Sequence, residues 1–523
     1  MGSETRRVAR AAGVVGAATL LSRIFGFLRD MAIAGFFGAG MGADAFFVAF
    51  RIPNLLRRLF AEGSLSIAFI PVFTDYLENR GKDEAFALAR SALRLLSAIL
   101  AIVILLGILF SPVLVRLIAP GFADSPDKLA LTALLTRITF PYIFFICLVA
   151  LCMGILNVLG HFAAPALAPV FLNLAIILSV FFISPHLTEP AVGLAIGVLI
   201  GGLLQLLLQA PFLMARGFRF WERAALFHPG LVRVGKLMLP AVFGAAVYQI
   251  NILVGTLLAS MLPEGSVSYL YYADRLVQFP LGIFAIALAT AVLPSLSRQA
   301  AARNMAGLHR TFGQAINLIL FITLPSMVGL IVLREPIVAL LFKRGAFGMQ
   351  TTALTADALL YYSIGLWAFS AVRIVVATFY ALEDTRTPVQ MATLSIIANI
   401  LLGMLLMGPM KHAGLALATS LASMINLLLL IRRLRERLNG AGWSQSAKSA
   451  CTSLICSAIM GAIVWGVAFQ LPPVNGNGFL AQGVQIGGAI AAGCLSYALM
   501  ARVLKSPELE TVAAIIRKKT GTD

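Results

Sequence analysis

GAATLLSRIFGFLRDMAIAGFFGAGMGADAFFVAFRIPNLLRRLFAEGSLSIAFIPVFTD, residues 16–75, decides how this chain folds. The stretch is mostly apolar, yet it carries Arg23, Arg29, Asp30, Asp44, Arg51, Arg57, Arg58 and Glu62. A soluble helical hairpin would gather its charges on one wet face. Here they stand singly among Phe, Leu, Ile, Ala and Gly, in a chain that is 60% apolar and only 12% charged. Two readings compete: a membrane hairpin whose charges lie at the interface or pair structurally, and a pair of helices facing a wet, positively charged internal cavity. Ionisable groups within a membrane are costly unless paired or hydrated, and they mark substrate paths, so the second reading leads.

Working outward, the remainder of the 523 residues is of the same kind. A mean hydropathy of +0.93 is too high for a soluble surface. Apolar runs long enough to span recur at 13–37, 45–74, 90–112, 131–157, 163–184, 190–214, 235–261, 267–296, 309–333, 352–381, 388–408, 412–431, 448–470 and 480–501. The expected fold is therefore an all-α polytopic membrane protein with fourteen transmembrane helices. The second, eighth and tenth runs are long enough to be tilted or broken. Cys147, Cys152, Cys451, Cys456 and Cys494 lie in apolar runs without metal-ligand spacing and read as small buried hydrophobes. Five histidines form no cluster in the sequence.

The net charge of +18 would suggest nucleic acid in a soluble protein. In a membrane protein it follows from cytoplasmic loops and anionic lipid head groups. Of the 40 Lys and Arg, 25 fall on the side of the termini, while the other side holds Arg116, Lys128, Arg334, Lys343, Arg344 and Lys411. That bias places both termini in the cytoplasm. Arg6, Arg7 and Arg10 precede the first apolar run, which is read as a retained span and not as a cleaved signal.

A repeat organises the spans. Pro71 and Pro294 stand in register, 223 apart, as do Pro165 and Pro388; VGLAIGVLIGGLLQLLL (192–208) matches AGLALATSLASMINLLL (413–429), setting Gln205 against Asn426. An offset of six spans preserves orientation, so the halves are parallel repeats about an axis along the membrane normal. The domains expected are an N-lobe over 1–214, a cytoplasmic amphipathic linker over 215–236 resembling a helix on the inner leaflet, a C-lobe over 237–433, and two further helices with a cytoplasmic tail over 434–523. The two six-helix lobes would enclose a central cavity.

The nine basic residues left in or near spans are all arginine: Arg23, Arg29, Arg51, Arg57, Arg58, Arg94, Arg137, Arg275 and Arg373. Guanidinium stays charged at low dielectric and grips phosphate with a planar fork, so the cavity is matched to a phosphate-bearing head group. Asp30, Asp44, Glu62 and Asp274 are the acidic companions. Arg23 and Asp30, seven apart, share a helix face, whereas Arg29 is turned away from both. Arg57 and Arg58 are adjacent, so both cannot face one point, and which faces the cavity stays open. Arg94 and Arg116 read as topological. Arg373, near Trp367 and Phe369, divides evenly between cavity and lobe packing. No nucleophile elbow, zinc motif, Walker loop or dinucleotide fingerprint occurs, so the chain reads as a transporter and not an enzyme. No cofactor is implied; uphill movement would draw on a monovalent cation gradient, the membrane potential or consumption of the product.

SRIFGFLRD (22–30), GAGMGADAFFVAFRIPNLLRRLFAEGSLSIAFIPVF (38–73), YYADRLVQFPLGIFAIALATAVLPSLS (271–297) and ALEDTRTP (381–388) resemble the MurJ/MviN family of lipid II flippases, within the superfamily of multidrug, oligosaccharidyl-lipid and polysaccharide exporters. The resemblance implies two six-helix lobes with helices 13 and 14 forming a groove for the polyprenyl tail. It implies movement of lipid II, an undecaprenyl-diphosphate-linked disaccharide-pentapeptide, from the inner to the outer leaflet for peptidoglycan synthesis. Family arginines carry over onto Arg23, Arg29, Arg57 or Arg58, and Arg275, with Asp44, Glu62 and Asp274 beside them. Some members have a sodium site to which the seventh helix gives an Asp; here Gln249 and Asn251 are neutral, a departure from that pattern. The partners expected are lipid II, anionic phospholipids and the cell-wall synthesis machinery, not nucleic acid, and the functional unit is read as a monomer of the bacterial inner membrane. The alternatives are an exporter of another polyprenyl-linked glycan, a multidrug exporter and a non-transporting assembly scaffold.

Overall fold

Apolar side chains at helical spacing, punctuated by Pro and Gly, make nearly all of the chain helical. The computed structural model describes residues 3–59, 65–438, 443–470 and 478–520. Its contacts divide into two units, Met1–Ser268 with Arg344–Phe347, and Tyr269–Lys343 with Gly348–Asp523. The helices of the first are α1 (Ser3–Phe37), α2 (Met41–Leu56), α3 (Leu65–Asn79), α4 (Lys82–Leu109), α5 (Ser111–Ile118), α6 (Pro126–Thr139), α7 (Tyr142–Val158), α8 (Ala163–Phe182), α9 (Ala191–Met214) and α10 (Pro229–Ser260). Then come α11 (Ser266–Pro280), which begins in the first unit and continues in the second, α12 (Ile286–Ala301), α13 (Met305–Val332), α14 (Arg334–Phe342), α15 (Met349–Ile364) and α16 (Leu366–Ala381). The chain continues through α17 (Arg386–Arg437), α18 (Trp443–Trp465), α19 (Phe479–Val503) and α20 (Pro507–Thr520).

Among the described residues nine helices are long and apolar enough to cross a membrane, or ten with α15 and α16 counted as one span bent by 41°. This is an all-α polytopic membrane fold. α1 carries Arg23, Arg29 and Asp30 within its apolar part. α17, 52 residues long, is two arms. Lys411 inside it has φ 51°, left-handed backbone that an L-residue adopts only under strain. The Ser395 hydroxyl donates to the Ala422 carbonyl at 2.8 Å, and Arg437 reaches Asp384 at 3.1 Å. Partners converging on Lys411 from both sides are what antiparallel arms produce, so the runs at 388–408 and 412–431 are separate arms. Asp384 also caps the first arm, and the Thr387 N–H holds its carboxyl below the usual range.

The first unit is built around α7, which is buried on nearly every side from Tyr142 to Leu156. α9 lies against α8 because Gly197 and Gly201 let the backbones meet. A Cβ there would stand 2.7 Å from Ser179 and 2.6 Å from Leu172. In the second unit Phe312, Ile319, Ile374, Phe379 and Leu430 form the core. A satellite core joins α18 and α19 to α13, where the buried Tyr497 hydroxyl donates to the Phe321 carbonyl at 2.8 Å. π-helical turns follow α2 at 57–59 and α11 at 281–285, and these overlap when shifted by the repeat offset of 223.

Two expectations need correction. Residues 218–228 form no helix; α10 starts only at Pro229. Gly217 turns the chain at φ +89°, and the Arg94 guanidinium, across from α4, takes the carbonyls of Glu222 and Ala224 that a helix would have used. Arg94 is therefore a tether for this segment and more than a topological charge. Cys147, Cys152 and Cys456 are buried, but Cys451 and Cys494 are exposed. They lie on the outward faces of α18 and α19, away from the packing that buries Cys456 and Tyr497.

Candidate functional site

α1 brings two predicted residues together, though not the two that spacing selected. The buried Asp30 pairs with its neighbour Arg29, NH2 to Oδ1 at 2.7 Å and Nε to the same oxygen at 3.1 Å. Adjacent side chains leave a helix about 100° apart, but the long arginine stem lets the guanidinium fold back onto the carboxylate. Arg29 NH1 also donates to Asn173 Oδ1 on α8 at 3.0 Å, and Asn173 Nδ2 donates to the Ser22 carbonyl at 3.2 Å. Arg23 is exposed and has no hydrogen-bond or ion-pair partner among the described residues. Asn173 went unread in the sequence; its signal was an isolated amide in the apolar helix AAPALAPVFLNLAIILSVFF.

Asp44 belongs to a different network. It is 1% exposed and forms an ion pair with Lys128 Nζ at 2.8 Å. Its two oxygens also accept from the Gly265 N–H at 2.8 Å, the Ser268 N–H at 3.0 Å and the Ser268 hydroxyl at 2.6 Å. The ammonium of Lys128 sits 4.2 Å from the centre of the Phe122 ring. A carboxylate with this many donors fastens the start of α2 to α6 and to the turn before α11. Asp44 is thus tied into the fold, and Lys128, counted in the sequence only for its side of the membrane, is its charge partner.

Beside this network the α1–α2 turn docks on residues 344–347. The Ala346 N–H donates to the Gly35 carbonyl at 2.9 Å. Gly38 has φ +60° and Gly345 φ +54°, and a Cβ at Gly345 would stand 2.2 Å from the Gly35 oxygen. Both the backbone conformation and the close approach require glycine there. Gly345→Ala should lower stability by at least about 1–2 kcal/mol, the cost of left-handed backbone alone. Thermal unfolding reads this, with Gly348→Ala as control because its Cβ would meet open space. Equal melting temperatures for the two variants would refute the docking.

At the end of α2, Arg57 Nε donates to Asn54 Oδ1 at 3.1 Å. Arg58 is half-buried, with no partner for its Nε among the described residues. Glu62 lies outside the described residues. In the second unit Arg275 donates to the Tyr271 hydroxyl at 2.9 Å and lies 5.0 Å from that ring's centre. Asp274, next to it, accepts from the Gln278 amide one turn along. Arg373 is exposed on α16. Among the described residues no group of His, Cys, Asp or Glu could hold a metal ion.

Arg29, Arg57 and Arg275 are each held by a carboxylate, an amide or a phenol within otherwise apolar helices. The family model described as lipid II flippase MurJ matches residues 33–480. A probable lipid II flippase MurJ of Vibrio cholerae serotype O1 is 42% identical over 437 residues, 82% of this chain and 83% of that protein. The lipid II flippase MurJ of Burkholderia cenocepacia is 38% identical, over 82% of this chain and 84% of its own length. Among solved structures, a lipid II flippase MurJ in an inward closed conformation superposes with a TM-score of 0.76 at 28% identity, covering 94% of this chain and 99% of that one. An inward-facing multidrug transporter of the MATE family shares the fold, with a TM-score of 0.66 at 17% identity over 82% of this chain and 98% of its own. With a family model matched over most of its length and such relatives covering four fifths of it, this chain belongs to the MurJ family of lipid II flippases.

Proposed function

We propose that the protein flips lipid II, the undecaprenyl-diphosphate-linked peptidoglycan precursor, from the inner to the outer leaflet of the cytoplasmic membrane by alternating access. The observation that carries this reading is the set of arginines held inside apolar helices of a chain of this family, foremost Arg29 between Asp30 and Asn173. The diphosphate is a concentrated anion, and Arg23, Arg29, Arg57 or Arg58, and Arg275 are its ligands. The hydrocarbon tail stays in lipid, because each CH₂ withdrawn from it costs about 0.8 kcal/mol. In the finer reading the chain makes fourteen spans in two six-helix repeats, over 1–214 and 237–433, with two helices and a tail after them. Both termini are cytoplasmic, and one chain is the working unit. Coupling is to a monovalent cation or to the membrane potential.

Binding of purified protein to lipid II, set against a cationic dye, tests the cargo. Lipid II should bind and the dye should not; the reverse result would make it a drug exporter. A cell-based flipping assay with the sodium gradient and the potential collapsed separately then identifies the coupling.

A further inference from the structure

A cavity of about 470 Å³ in the first unit lies away from the residues assigned to lipid II. Arg90, Leu93, Arg94 and Ser97 line it from α4, and their spacing of three, four and seven puts them on one helix face. Leu207 and Ala210 of α9 complete its apolar floor, and Phe220 closes it from the non-helical segment after α9. From Arg90 to Ser97 the helix rises about 10 Å, so the cavity runs from a basic rim into apolar surroundings.

The rim carries charge beyond what the protein neutralises. Arg90 is paired with Glu222 at 2.7 Å, yet its Nε is buried without a hydrogen-bond partner. Arg94 donates to neutral carbonyls, those of Glu222 and Ala224. Arg219 also reaches the Glu222 carboxylate at 3.3 Å, so three guanidiniums stand against one carboxylate and leave an excess of positive charge that suits a phosphate anion. Trp221 and Phe227, 70% and 74% exposed, flank this segment as interfacial aromatics do. The basic end is also the one that the charge bias assigns to the cytoplasm.

A second cavity lies on α17. It is lined by Leu428, Ile431, Arg432, Arg435 and Glu436. Shifting Leu207 and Ala210 by the repeat offset of 221 gives Leu428 and Ile431. Only the apolar floor corresponds by the offset: Arg432, Arg435 and Glu436 stand on α17 itself, whereas Arg90 and Arg94 come from α4.

We infer that the cavity lined by Arg90, Arg94, Leu207 and Phe220 binds an anionic phospholipid of the inner leaflet, its phosphate on the arginines and the start of an acyl chain on the apolar floor. The site does not depend on which cargo the protein moves. The test is thermal unfolding of the full chain in mixed micelles titrated with phosphatidylglycerol or phosphatidylcholine. Phosphatidylglycerol should raise the melting temperature at a lower mole fraction than phosphatidylcholine. Leu207→Trp fills the floor at a position already 54% exposed, and should remove that preference without altering the lipid-free melting temperature. Glu222→Gln frees Arg90 and should lower the half-maximal mole fraction. The double change Arg90→Gln with Glu222→Gln should raise it about tenfold, the loss of one charge-assisted hydrogen bond. Equal response to the two lipids, an undiminished preference in Leu207→Trp, or the same shift with soluble glycerol 3-phosphate would overturn the inference.

Discussion

Replacing Asp44 by Ala should destabilise the protein by about 3–5 kcal/mol, the cost of leaving one member of a buried ion pair unpaired. Lys128, 9% exposed, would keep its charge with no carboxylate beside it, and three donors from Gly265 and Ser268 would lose their acceptor. Asp44→Asn should cost less, since the amide oxygen still accepts from the Ser268 hydroxyl. The pairing itself is tested by adding Lys128→Met. If the loss arises from an orphaned ammonium, Asp44→Asn with Lys128→Met should melt above Asp44→Asn alone, because no buried charge remains. Should the double variant melt lower than either single one, the pair is not coupled and the two residues act separately. Transport would fall with stability in Asp44→Ala, so binding of lipid II at a temperature well below the transition separates the roles. A clamp leaves that affinity unchanged; a substrate contact does not.

The contrast between Asp44 and Arg29 shows what a sequence carries and what it leaves open. The all-α membrane character and the breaks at prolines are local, so they were readable: Pro71 and Pro294 lie inside α3 and α12. The tenth run was long enough to break, and α15 and α16 do bend there. Partner choice is not periodic. Asp44 meets Lys128 across 84 residues and Arg29 meets Asn173 across 144, distances at which helical spacing says nothing. Even on one helix, spacing assigned Asp30 to Arg23 because it follows Cβ directions and ignores the reach of a guanidinium. The segment after α9 failed for a related reason. Its basic and aromatic residues resemble an interfacial helix, but a long-range contact with Arg94 took its carbonyls.

That rearranged pairing changes which arginine is the cleanest probe of substrate binding. Arg23 has no partner among the described residues, so Arg23→Ala should leave protein level and melting temperature unchanged. If it holds the diphosphate, the same change should weaken lipid II binding on the order of 10- to 100-fold, the loss of a charge-assisted hydrogen bond. Lys at this position keeps the charge but not the fork, and should fall between Ala and Arg. Arg29→Ala does two things together, because it also removes an ion-pair partner of Asp30, which is 2% exposed. Protein level should fall along with binding. The double change Arg29→Ala with Asp30→Ala removes the buried carboxylate together with its arginine and should raise the level above that of Arg29→Ala. Its affinity then decides the role of Arg29. Recovery of lipid II binding means that Arg29 only neutralised Asp30; continued loss in a well-folded protein makes its guanidinium a ligand of the diphosphate. Unchanged binding in Arg23→Ala would remove that residue from the site, whatever Arg29 does.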